Sequence, residues 1–259
     1  MKKIPLTIAK IGGNVINDEV LLAQVLADFA ALPTPKILVH GGGKRASALM
    51  RQMGMQPNMV EGRRITDAAT LEVVTMVYAG LINKKIVADL QAIGENAIGL
   101  TGADLNVIQS HKRIVKDIDY GFVGDIDEIG KENIGKLLAA NFTPVFCAIT
   151  HDKKGQLLNT NADSIASRLA VGMSENYEVT LIFCFEKNGV LLDANDDTSV
   201  IPSLSYAQFK EFRQSGVIYE GMIPKMEGAF YALQHGVTNV HIAGTNALAS
   251  EGKKGTKLI

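Results

Sequence analysis

Cysteine is nearly absent. Cys147 and Cys184 are the only two in 259 residues, and each lies in an apolar run, VFCAIT and LIFCFE. That placement reads as two buried free thiols in a reducing compartment, leaving no disulfide framework and no cysteine metal site. Neither sign of charge is in excess: 26 basic side chains face 27 acidic ones. No whole-protein field therefore draws the chain to nucleic acid or to an anionic membrane. Any anion must be gripped by local groups. No apolar run approaches the ~18 to 20 residues of a membrane span. The opening MKKIPLTIAKIGG lacks a secretory apolar core with a cleavage site. Together these absences predict a cytoplasmic protein without nucleic-acid or membrane partners.

What is present is alternation. Apolar runs such as LTIAKI, KILVH, NAIGL, TPVFCAIT, VTLIFCF and NVHIAG are separated by helical patterns. This is the signature of βαβ units, an α/β fold on a mainly parallel sheet. The runs are apolar nearly throughout, so each strand is expected to be covered on both faces. The longest helical pattern is TDAATLEVVTMVYAGLINKKIVADLQAIG, with Thr66 or Asp67 as N-cap and Gly94 as stop. Between Val107 and Ile129 the pattern changes to short antiparallel strands. A seam near residues 172–176 separates an N-terminal lobe, 1–174, from a C-terminal lobe, 175–259, with the sheet free to run through both.

Two strands end in glycines. KILVH runs into Gly41-Gly42-Gly43 and a helix start, and LTIAKI runs into Gly12-Gly13. Bare backbone N–H groups at such ends can face a phosphate or carboxylate. Neither loop fits GxxxxGK[ST] or GxGxxG, and either could be a tight structural turn. Lys10, placed just before the first loop, tilts the balance toward an anion, because an ammonium beside an apolar strand requires a partner. In LLNTNADSIASRLA, Asn159, Asn161 and Asp163 fall at a strand-to-helix junction. One of them serves as the cap, and three exceed what a cap needs. Lys225, at a helix start after Pro224, opposes the helix dipole unless an anion binds there.

With these pieces on the page, the chain resembles the amino-acid kinase family, in the branch acting on N-acylated glutamates. AKIGG, LVHGGG, GRRITD, LLNTNAD, EGMIPK and KKGTKLI follow in that family's order and spacing. The resemblance implies a three-layer αβα sandwich. The N-terminal lobe would hold the acylglutamate and the homodimer contacts, and the C-terminal lobe ATP with Mg2+. It implies γ-phosphoryl transfer to the side-chain carboxylate of N-acetylglutamate, a step of arginine biosynthesis. Lys10 is expected on the transferring phosphoryl group, Lys225 on the nucleotide phosphates, and Asp163 orienting both. Gly12 and Gly13 would bind phosphate, Gly42 and Gly43 the reacting carboxylate, and Arg64 with Asn159 the α-carboxylate. A carboxylate acceptor is already ionised, which fits the lack of a candidate histidine base.

Two departures stand out. The nucleotide lobe reads Phe185-Glu186-Lys187-Asn188-Gly189 where the family has Ser/Thr-Asp-Val-x-Gly. Glu186 and Gly189 are thereby left as the nucleotide contacts. Lys44-Arg45 follows the glycine loop where proline is common. These are either exposed charges of the first helical turn or, for Lys44, a contact to an acyl end that is itself anionic, as in N-succinylglutamate. Only Met1-Lys2-Lys3 precede the first strand, which implies insensitivity to arginine. The alternatives are a sister kinase acting on glutamate, aspartate, carbamate or UMP, and a non-catalytic nucleotide or acyl-amino-acid sensor.

Overall fold

A computed structural model describes residues 3–60, 62–193, 195–218 and 222–259. Met1 and Lys2, which enter the arginine argument, and Glu220 and Gly221 of the EGMIPK run lie outside the described residues.

The described residues form an eight-stranded sheet. Its order is Ser203–Leu204, Thr256–Leu258, Asn239–Gly244, Tyr177–Phe185, Ile4–Ile11, Lys36–His40, Thr143–Phe146 and Ala97–Leu100. Every pairing is parallel except that of Asn239–Gly244 with Thr256–Leu258. Successive strand side chains point to opposite faces, and all five residues of Lys36–His40 are buried. Both faces of the sheet are therefore covered, giving the αβα layering. The sheet crosses the seam, because Ile4–Ile11 pairs along its whole length with Tyr177–Phe185. Both cysteines are buried and free, and burial pushes each thiol up to about 12.

A second sheet has the order Leu157–Asn159, Ile149–His151, Ile108–Lys112 and Gly124–Ile129. Its last two strands are antiparallel, as the pattern between Val107 and Ile129 predicts. The run TPVFCAIT does not stay in one sheet: Thr143–Phe146 belongs to the main sheet and Ile149–His151 to the second. Hydropathy hides this switch, because all eight residues, 143–150, are buried.

The long helix also departs from a uniform pattern. Asp67 is the cap, accepting from the Thr70 N–H at 2.8 Å, and the helix runs over Ala68–Thr75. It widens to a π-helix over Met76–Ile82, then returns to α over Asn83–Ala92. The widened turns bring Tyr78 and Ile82 against the glycine loop. A Cβ added to Gly42 would lie 2.5 Å from Ile82 Cδ1 and 2.9 Å from Tyr78 Cδ1. Such π segments often mark functional sites.

Candidate active site

Three adjacent parallel strands deliver the site. Register places Lys10 between Val39 and Phe183, so the strand ends carrying Gly41–Gly43, Lys10–Gly13 and Phe185–Glu186 lie side by side. In open α/β sheets this edge is where ligands bind.

Lys10 Nζ lies 2.6 Å from Asp163 Oδ1, and the two side chains are only 7% and 14% exposed. Asp163 is in the first turn of the Ala162–Ser174 helix, where an acid suits the dipole. The cap itself is Asn161, accepting from the Ser164 N–H at 3.0 Å, which frees Asp163 for the lysine. Lys36 offers a contrast. Its ammonium is satisfied by the Ala30 and Leu32 carbonyls and by Glu95 at 2.9 Å or less. That lysine is structural. Among the described residues Lys10 has one ion-pair partner.

Lys225 lies in the Met222–Gln234 helix, half-buried, with Nζ 4.1 Å from the centre of the Phe185 ring. The same ring lies 5.8 Å from Lys10 Nζ and stacks on Phe183 at 6.2 Å. Burial holds the Lys225 ammonium below its usual range, the Asp163 carboxylate and Glu186 pull it up, and Lys10 pushes it down. Two cations and one acid thus converge, although Lys225 comes from a distant part of the chain. The aromatic floor is the part that sequence reasoning missed. Phe185 registers there only as a departure.

The glycines divide into two kinds. Gly42 is demanded by the side chains beneath it. At Gly12 and Gly13 an added Cβ would find nothing nearer than 3.8 Å and 4.0 Å, so the chain itself does not require glycine there. Gly189 is of the first kind: a Cβ there would meet Thr256 Oγ1 and Val200 Cγ1, each at 2.8 Å. That explains its identity by packing.

Arg64 is buried and lies in the strand Arg63–Arg64, which pairs antiparallel with Met59–Val60. Its Nη2 donates to the Gly43 carbonyl at 3.0 Å and to Ser47 Oγ at 2.7 Å, and its Nη1 to Met50 Sδ at 3.4 Å. Asn159 Nδ2 donates to Thr66 Oγ1 at 3.0 Å. Lys44 is exposed and donates to Asn14. It lines the larger of two adjoining cavities, which Arg64 also borders, and not the smaller one that Arg64 shares with Asn159. Arg45 is exposed as well.

Two cavities adjoin. One, of about 220 Å³, is bounded by Gly41–Gly43, Arg64, Asn159 and Asp163. The other, of about 710 Å³, is bounded by Gly12, Lys44, Phe185, Glu186 and Lys225. Lys10, Gly13, Gly43, Met59 and Arg64 line both. Arg63 and Arg113 also line the smaller cavity. Sequence reading passed over them, since a second arginine in GRRITD and a basic residue in HKRI carry no distinctive spacing.

Comparison with known proteins agrees with this geometry. The chain is 54% identical over 246 residues to an acetylglutamate kinase of Phocaeicola vulgatus, covering 95% of this chain and 96% of that one. It is 52% identical over 253 residues to an acetylglutamate kinase of Bacteroides thetaiotaomicron, covering 98% of each. A crystal structure of a Streptococcus mutans protein superposes with a TM-score of 0.79 at 26% identity, covering 98% of both chains. A profile of the amino acid kinase family matches residues 5–244. The chain belongs to the amino acid kinase family.

Proposed function

We propose that this chain transfers the γ-phosphoryl group of ATP to the side-chain carboxylate of an N-acylated glutamate, giving an acyl phosphate in arginine biosynthesis. N-Acetylglutamate is the acceptor that the relatives' names imply. The observation that carries this reading is that Lys10 lines both cavities, together with Gly13, Gly43, Met59 and Arg64. Phosphoryl transfer brings two repelling anions in line and needs positive charge where they meet. An ammonium on the border between the two cavities meets that need.

In this reading Gly12 and Gly13 hold the moving group, Lys225 the nucleotide phosphates, and Asp163 orients the lysines. Gly42 and Gly43 receive the reacting carboxylate, while Arg64 and Asn159 hold the α-carboxylate. Neither cavity is lined by a described histidine or cysteine, and an ionised carboxylate needs no base to attack. The residues 1–174 would then serve the acylglutamate and the dimer contacts, and 175–259 the nucleotide. Met76 and Leu81, each about half exposed on the long helix, are apolar surface that a second copy would cover.

Mg2+ fits as an ion carried by the nucleotide. No group of three metal-ligating side chains occurs among the described residues, and Mg2+ in such sites takes most of its ligands from phosphate and water. Glu186, beside Lys225 in the larger cavity, is the carboxylate available to it. The ion would offset charge on the β- and γ-phosphates.

A hydroxamate assay with ATP, Mg2+ and N-acylglutamates tests the proposal. Acyl hydroxamate should accumulate with N-acylglutamates and not with glutamate or aspartate, and ADP release should stay at background with carbamate or UMP. Nucleotide and acylglutamate binding without hydroxamate would reduce the protein to a sensor.

Phe185 gives a separate expectation. A cation over an aromatic face is stabilised by about 1 kcal/mol. Phe185→Leu should therefore raise the KM for ATP roughly fivefold while Phe185→Tyr stays near the original. Equal KM values in all three proteins would leave the ring a mere packing element.

A further inference from the structure

We infer that the substrate's acyl group carries a carboxylate of its own, and that Arg113, with Arg63 beside it, forms the subsite that receives it. The inference rests on the phosphotransferase reading above and specifies its acceptor further.

The smaller cavity is lined by four cationic side chains, more than the two carboxylates of an acetylated glutamate would engage one for one. Lys10, Arg63, Arg64 and Arg113 line it, and its single acid, Asp163, is already engaged with Lys10. An N-acylated glutamate brings two carboxylates. The reacting one belongs at Lys10 and the α-carboxylate at Arg64. Arg63 and Arg113 are left facing the acyl end, where acetyl would present only a methyl group.

Arg113 is built to bind rather than merely to sit near water. Its Nε lies 3.1 Å from both oxygens of Asp125, and its Nη2 also donates to Asp125. The guanidinium rests 5.6 Å from the centre of the Tyr120 ring. Both contacts fix its plane. Its remaining nitrogen, Nη1, is buried without a hydrogen-bond partner among the described residues. A buried charged donor left unmet is costly, and a carboxylate is the group that a planar guanidinium meets best.

Space points the same way. Arg63 and Arg113 also line a further cavity of about 490 Å³, so the acyl end of the smaller cavity opens onto more room. Ile114 and Ile118 there offer apolar contact for methylenes. Lys116 adds a cation, and the opposing acids are Asp117 and Asp125, the latter occupied by Arg113. This is the surrounding of a short dicarboxylic acyl chain of the succinyl class. The acyl contact that the sequence suggested for Lys44 falls to Arg113.

The test compares kcat/KM of the unaltered enzyme, with ATP, for N-acetylglutamate, N-succinylglutamate and the neutral isostere N-succinamylglutamate. N-Succinylglutamate should exceed both others by about tenfold or more, the usual scale of a charge-assisted hydrogen bond. Arg113→Gln should collapse that ratio, and Arg63→Gln should reduce it. If Arg113→Gln does not fold, the three substrates on the unaltered enzyme still decide. Equal values, or a preference for acetyl, overturn the subsite and leave the phosphotransferase reading standing. Equal rates with the succinyl and succinamyl compounds show that length is recognised and not charge, which also overturns it. Absence of turnover with every N-acylglutamate removes both readings.

Discussion

Lys10→Ala should fold and lose at least about a hundredfold in kcat, the ~3 kcal/mol typical of removing one preorganised charge donor. The reason lies in the position of the ammonium. It is held 2.6 Å from Asp163, on the border of two cavities, where the proposed transfer would place the charge shared between acceptor and leaving oxygen. An interaction made chiefly in the transition state lowers kcat and kcat/KM together and leaves KM nearly unchanged. Lys225→Ala should differ, raising the KM for ATP as well, because its ammonium is assigned to phosphates already present in the ground state. The fold should survive because Asp163, 14% exposed, borders an open cleft and can recruit water when its partner is gone. Steady-state kinetics and a far-ultraviolet melting curve on the purified variant check both halves. A folded Lys10→Ala enzyme with near-normal kcat would remove Lys10 from the chemistry.

Much of this site was legible in the sequence, because its parts violate ordinary expectations one by one. A lysine inside an apolar strand, glycines clustered at two strand ends, and three amide or acid groups at one helix start each raise the question of a partner. The fold was legible for a related reason: strands covered on both faces are apolar throughout. That same uniformity hid the break inside TPVFCAIT, since hydropathy cannot mark a change of sheet within a run that stays buried. The π segment was invisible because its apolar residues continue the helical pattern on either side of it. What it contacts, Gly42, is far away in sequence. Arg113 was hidden as well, since its significance comes from Asp125 and Tyr120 fixing its plane, a tertiary fact. Phe185 could be seen as unusual, but its use depends on where the Met222–Gln234 helix delivers Lys225.

The stability of the protein should fall by about 3 kcal/mol as the pH is lowered from above 6.5 to about 4, a change assigned chiefly to His40. His40 is fully buried behind the glycine loop. Its Nδ1 is 2.8 Å from the Gly41 carbonyl and its Nε2 is 3.1 Å from Asn83 Nδ2. Since an amide nitrogen donates, Nε2 must accept, and Nδ1 carries the hydrogen given to Gly41. The folded protein therefore holds the neutral ring. Burial, the largest cause, lowers its titration from 6.5 to about 4; the Gly41 contact opposes this and Lys84 reinforces it. Between those values the unfolded chain binds a proton that the folded chain refuses, so stability is full above the unfolded value and declines with acid. His241, lowered mainly by burial, acts with the same sign. Asp67 and Asp125, whose hydrogen bonds hold them below 3.8, contribute mostly at still lower pH. Urea unfolding at pH 7.5, 6.5, 5.5 and 4.5 reads the slope, and His40→Gln should flatten most of it. Persistence of the full slope in that variant would shift the cause to His241 or the carboxylates. The consequence reaches the site, because a second ring proton would point at the Asn83 amide hydrogens and disturb the loop that His40 fixes through Gly41. The KM for the carboxylate substrate should therefore rise only as the pH approaches the folded value of about 4, at the acid end of the window in which stability falls.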